Sequence, residues 1–174
     1  MLAYVFRHWM RAGVDSADYE AALREFHARL QEAAPDGFEG SASVRYPDGG
    51  YADWYLLAGS FALDPLNDAA VSGLRRPAHD RAAAGAERGE GTLYRLHSGR
   101  PDLKALREVR LVKPSGRPYA DFYTRLEPLL RRPDVSLWRR QMTLGPPPEF
   151  CLLSAEPVEV PAEMEPADFP RHPV

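Results

Sequence analysis

The sequence holds a single cysteine, Cys151, and therefore no internal disulfide. That suits a reducing compartment, and a cytoplasmic protein is expected. No apolar run approaches the roughly 20 residues that a membrane span needs. At the start, "MLAYVFRHWMR" sets Arg7 and His8 where a secretion signal needs apolar residues, so neither export nor membrane attachment is expected. A basic stripe is lacking too. Net charge is -3 over 174 residues, and residues 156–174 carry five acids against Arg171, which places the negative excess in the tail. The near-neutral remainder argues against a nucleic-acid partner. Lysine occurs only twice, against twenty arginines. Genome composition is the plain reading of that ratio. The sharper one is a use for two-point anion contacts, which only the planar guanidinium provides.

Familiar catalytic motifs are absent as well. "GAERGEG" (85–91) has neither the Lys-Ser/Thr of a phosphate loop nor the strand-then-helix setting of a dinucleotide fingerprint. There is no His-Glu-x-x-His, and one cysteine cannot build a thiolate metal site. No Gly-x-Ser-x-Gly elbow occurs. A metal site is not expected, and no cofactor can be named.

What is present is a pattern written twice. "DWYLLAG" (53–59) and "EFCLLSA" (149–155) align an aromatic, two leucines and trailing small residues, about a hundred positions apart. The elements around them repeat in order. "LAYVFRHW" alternates as a strand, with Tyr4, Phe6 and His8 on one face. Gly13 to Ser16 offer a cap, and Tyr19, Leu23, Phe26, Leu30 and Ala33 form a helical stripe. Pro35-Asp36-Gly37 stops that helix. "SASVRY" and "YADWYLLA" follow as a hairpin across Pro47 to Gly50. Residues 64–90 predict one or two short alanine-rich helices broken near Gly73 and Pro77, and "GTLYRLHSG" predicts a fourth strand. The order is βαββαβ, the ferredoxin-like arrangement.

The second half restarts with the strand "REVRLVK", a cap at Ser115 to Pro118 and a helical stripe from Tyr119 to Leu130 that Pro128 should kink or end. A hairpin of "VSLWRRQMTL" and "EFCLLSA" across Gly145 to Pro148 completes the copy. We therefore expect an α+β fold of two tandem ferredoxin-like units, with antiparallel sheets facing each other and helices outside. The first unit spans 1–98, and a second, truncated unit spans 99–160. Residues 161–174 form an acidic, proline-rich tail, extended or disordered. "EPVEVPA" could add one edge strand.

Two such units in one chain resemble the dimeric α+β barrel superfamily, which includes the antibiotic-biosynthesis-type monooxygenases, EthD-like and NIPSNAP-like proteins, and the haem-binding chlorite dismutase group. The resemblance covers about residues 2–160 and lies in the layout of elements rather than in a motif. It implies a sheet whose second face is covered by another sheet, a small-molecule cavity between them, and a monomer acting as a pseudo-dimer, or a homodimer.

Candidate site residues come from strand phase. His8 could act as a general base, with Tyr55 beside it, or sit satisfied at a strand end. Tyr4 would line the cavity. Arg45, Arg95 and Arg139, each inside a strand, could hold a carboxylate or enolate, or point outward into solvent. Asp53 and Tyr55 share a face and could orient a hydroxyl or simply bond each other. His27 and His79 read as a helix flank and a surface cap, and His97 as a loop residue. The expected function is a small-molecule binder or cofactor-light enzyme with an inter-sheet cavity. The alternative is a non-catalytic interaction module with tightly packed sheets, and haem binding through His8 or His97 is a third idea. A polar-ended pocket would favour the binder. Sequence alone does not decide whether the chain is an enzyme.

Overall fold

A computed structural model describes residues 1–142 and 148–174. The chain divides into two compact units: residues 1–93 with 172–174, and residues 94–171.

The first unit opens with β1 (Leu2–Met10). The helix α1 (Ser16–Glu32) follows, capped by Asp15, whose carboxylate accepts from the Ala17 and Asp18 N–H groups. Its stripe of Tyr19, Leu23, Phe26 and Leu30 is buried. Burying a leucine or phenylalanine side chain is worth about 1.5–3 kcal/mol, so the helix is held by packing rather than propensity. The strands β2 (Phe38–Arg45) and β3 (Gly50–Leu57) form the expected hairpin. All eight residues of β3 are buried, as befits a strand paired on both sides and covered on both faces. Two short helices come next, α2 (Leu63–Ala70) and α3 (Arg76–Gly85), with a break at Gly73–Arg75. A long strand, β4 (Ala86–Ser98), then begins earlier than the sequence pattern suggested.

The second unit takes the end of β4 and adds β5 (Arg107–Leu111), α4 (Tyr119–Leu130), β6 (Ser136–Arg140) and β7 (Phe150–Ser154). Pro128 lies inside α4, and the helix ends two residues beyond it. Its apolar core gathers Val109, Leu111, Phe122, Leu126, Leu137, Phe150 and Leu152. Most of the Gly145–Pro148 turn, with Thr143 and Leu144 of the preceding strand candidate, lies outside the described residues.

"EPVEVPA" forms no strand. The added strands lie further on, in the acidic tail: β8 (Ala167–Pro170) pairs with β5, and β9 (His172–Pro173) pairs with β2. Buried Arg171 between them donates to the Ala105 carbonyl at 2.7 Å.

Within the first unit the strand order is β4-β1-β3-β2-β9, and within the second it is β8-β5-β7-β6-β4. The expected pair of separate sheets is corrected on this point. The strands make a single nine-stranded series, because β4 is thirteen residues long and has neighbours in both halves of the order.

Candidate functional site

The register of the first unit assembles one polar and aromatic face. Opposite Phe6 on β1 stands Asp53 on β3; Tyr4 faces Tyr55 and His8 faces Tyr51. On the other side of β3, Ser43 stands opposite Asp53 and Ser41 opposite Tyr55. Period-two alternation thus places Tyr4, Phe6, His8, Tyr51, Asp53, Tyr55, Ser41 and Ser43 on the same side.

Asp53 is the centre of this face. It is 4% exposed. Ser43 Oγ donates to its Oδ1, and Tyr55 OH donates to Oδ2 at 3.3 Å. His8 Nε2 lies 3.3 Å from Oδ2 and His27 Nε2 lies 3.2 Å from Oδ1. The His8 approach is at ion-pair distance without a well-aligned hydrogen bond. Burial pushes the Asp53 carboxyl up, but the facing His27 and His8 imidazoles hold it far below the ordinary carboxylate range. Asp53 therefore stays ionised. The same negative charge, together with burial, raises the Tyr55 hydroxyl well above its usual value and keeps it a donor.

A carboxylate only accepts, so the imidazole nitrogen facing it carries the proton. With Nε2 turned to Asp53, the other ring nitrogen of His8, Nδ1, meets the Tyr19 hydroxyl at 2.6 Å. Tyr19 is itself held protonated, by burial first and by Asp53 and Tyr51 after it. The result is a hydroxyl–imidazole–carboxylate chain, Tyr19–His8–Asp53. His27 forms a second arm, bonded at Nδ1 to Ser41 Oγ (2.6 Å) and at Nε2 to Ser43 Oγ (2.9 Å).

This cluster lines a small cavity of about 90 Å³ bounded by Phe6, His8, Tyr19, Asp53, Tyr55 and His79. A larger pocket of about 510 Å³ shares Phe6, Phe26, Tyr55 and His79 with it and extends along Tyr4, Leu63, Leu66 and Ala70. Both lie between the strands β1 and β3 and the helices of the first unit, whereas the sequence reading placed a cavity between two sheets. The run at 85–91 makes the room. A Cβ on Gly89 would meet Phe6 Cζ at 2.0 Å, one on Gly91 would meet Tyr4 OH at 2.8 Å, and one on Gly85 would meet Tyr19 Cδ2 at 2.5 Å. Three glycines seat three aromatic rings of the site.

The structure brings His8, Tyr55 and Tyr4 together. Arg45, Arg95 and Arg139 do not join them. Arg45 is about half exposed and turns to Glu20 on α1 at 3.2 Å, an acceptor also used by the Tyr51 hydroxyl at 3.2 Å. Arg95 and Arg139 lie in the second unit, on paired strands. Two residues read as incidental belong to the site: His27, whose imidazole turns from the helix flank onto Asp53, and His79, which lines both cavities and packs edge-on against Phe26 at 5.5 Å. His27 sits one position from the apolar stripe, which was the available signal. Nothing local marks His79. Among the described residues, no three His, Cys, Asp or Glu side chains are placed to hold a metal ion, and no helix is long and apolar enough to cross a membrane.

No protein-family model and no curated protein matches this chain. Solved structures do. A "putative monooxygenase" from Lactobacillus acidophilus superposes with a TM-score of 0.64 at 12% identity, covering 99% of this chain and 93% of its own. An anthrone oxidase-like protein gives 0.60 at 10% identity, covering 99% and 91%. SnoaB, a cofactor-independent oxygenase from Streptomyces nogalater, covers 58% of this chain and 97% of its own at 17% identity, with a TM-score of 0.46. The chain has an α+β fold similar to those of these solved structures.

Proposed function

We propose that the first unit binds an apolar, ring-bearing small molecule and that the chain is a cofactor-light enzyme moving a proton on it. The carrying observation is the Tyr19–His8–Asp53 chain at the inner end of a pocket whose outer part is apolar and aromatic. Such a pocket, polar at one end, supports the binder over the interaction module. The names of the structural neighbours, a monooxygenase and an anthrone oxidase-like protein, are compatible with a ring substrate bearing an acidic C–H or O–H.

In this reading the ring lies against Tyr4, Phe6 and Phe26. His8 accepts a proton at Nδ1 in place of the Tyr19 hydrogen bond, and the permanently ionised Asp53 stabilises the imidazolium that forms. The Tyr55 hydroxyl, kept neutral, donates to the oxygen on which charge develops. His79 stands where the two cavities join and guards the passage. We further read the chain as an internal duplication. The first unit's β4-β1-β3-β2 and the second unit's β8-β5-β7-β6 have the same order, with β8 in the place that β4 holds in the first copy.

A panel of hydroxylated and keto-bearing polycyclic rings, followed by calorimetry and by turnover, tests this. Ala70→Trp, which fills the pocket from α2, should abolish binding. His8→Asn should keep binding and lose turnover by about 100-fold or more, the usual worth of a general base. Binding that survives Ala70→Trp, or turnover that survives His8→Asn, would sink the reading.

A further inference from the structure

The second unit has a pocket of its own, of about 450 Å³, lined by Arg95, Leu96 and His97 of β4 and by Arg139, Arg140, Gln141 and Met142 from β6 onward. Its charge is unusual for a ladder. β4 and β6 run antiparallel with Arg95 directly opposite Arg139. Like charges in that position repel, and sheets ordinarily avoid them. Both side chains are nevertheless held in place. Arg95 Nε donates to Gln141 Oε1 at 2.9 Å. Arg139 Nε donates to Glu149 Oε1 at 2.8 Å, and its guanidinium lies over the Tyr119 ring at 4.1 Å. Tyr119 OH donates to both oxygens of the same carboxylate, at 3.0 and 3.1 Å.

The groups facing this pocket are three arginines, Glu149 behind Arg139, and His97. Among the described residues, Glu149, already shared with a tyrosine, offsets Arg139, while Arg95 is held by a neutral amide and keeps that side of the wall cationic. The His97 ring stacks on Tyr123 at 3.9 Å and 10°, with its outer edge exposed. Partial burial first, and the Arg139 charge second, hold that imidazole below its ordinary value, so at neutral pH it offers one N–H and adds no charge. Preorganised guanidinium groups beside a neutral donor match a planar or tetrahedral oxyanion.

We propose that this pocket is a second ligand site, separate from the His8 cavity, that takes a carboxylate- or phosphate-bearing small molecule through Arg95, Arg139 and His97. The anion relieves the Arg95–Arg139 opposition that the strand register imposes. It also reverses the electrostatic setting of His97, since a bound negative charge favours the imidazolium.

The test follows the His97 ring by NMR pH titration, with inorganic phosphate in one arm and succinate in the other. In the proposal, millimolar anion moves the His97 titration to higher pH. Arg95→Gln, a change on an exposed side chain, weakens the effect about tenfold or more, and Arg139→Lys weakens it too while keeping the charge. A response to phosphate alone assigns a phosphate ligand, and a response to succinate alone or to both assigns a carboxylate-tolerant one. Ala70→Trp should leave the response unchanged, which separates this site from the proposed ring pocket. A His97 titration indifferent to both anions, or a shift that persists in Arg95→Gln and Arg139→Lys, would overturn the proposal.

Discussion

Asp53 shows how a residue becomes functional through partners remote in sequence. Tyr55, two residues away, was visible by alternation alone, and the bond between them is present at 3.3 Å. Ser43 could be placed once the hairpin was recognised, since register follows from the turn. His27 could not, because it reaches Asp53 from a helix, and helical phase put it on the flank of the stripe, not on it. A buried carboxylate this heavily partnered should be costly to disturb. Asp53→Asn keeps the shape but removes the charge that His8 and His27 face. We expect a loss of about 3–5 kcal/mol by urea unfolding, as when one member of a buried ion pair is removed. The pH dependence has a definite sign. The Asp53 carboxyl is depressed in the folded state, so its contribution is present above the unfolded carboxylate range and is lost as pH falls below about 4. Wild-type stability should drop through that acid window. The Asp53→Asn protein should show a flatter profile there, and an equally steep one would refute the assignment.

At the scale of elements, strand and helix periods were legible and their endpoints less so. β1, α1 and the first hairpin lie where alternation, stripe and turn placed them, because the Gly-rich turn and the apolar periods record where each element starts and stops. β4 was read too short, since "GAERGEG" carries no large apolar side chain with which to write an alternation. Its glycines answer to the aromatics packed over them, and that constraint sits on β1 and α1. Gly89 is the sharpest case, with a Cβ contact of 2.0 Å to Phe6. Gly89→Ala should push the Phe6 ring out of its seat. Overpacking of this kind costs about 1–3 kcal/mol, and the displaced ring should narrow the pocket that Phe6 walls. Calorimetry with any ligand of that pocket should then show weakened binding, while Gly116→Ala, at a positive-φ turn with open space around it, should lower stability alone. Equal effects of the two on binding would deny the seating role.

For the whole chain, the duplication reading accounts for a difference between the copies as well as for their likeness. Pairing Trp54 with Phe150 sets Asp53 against Glu149, so an acid recurs at the same strand position. In one copy histidines and a serine meet it; in the other, Arg139 and Tyr119 do. The α+β fold was readable because the order of strands and helices is written in the hydrophobic pattern, while the chemistry was not, because it depends on which side chains meet each acid across elements. The tail adds strands to both β5 and β2 and was the hardest part to read, since proline and acid masked a strand only four residues long. Its anchor is Arg171, buried beside Glu108, a fully buried acid that Arg110 also contacts at 2.9 Å. Arg171→Met retains apolar volume but leaves Glu108 with one cation fewer and the Ala105 carbonyl without its donor. We expect a loss of about 3 kcal/mol or more. Adding Glu108→Gln should restore part of it, because the cost comes from an acid stripped of its counter-charge rather than from lost packing. A double mutant no more stable than Arg171→Met would show instead that the loss comes from the Arg171 side-chain bond to the Ala105 carbonyl, independently of Glu108.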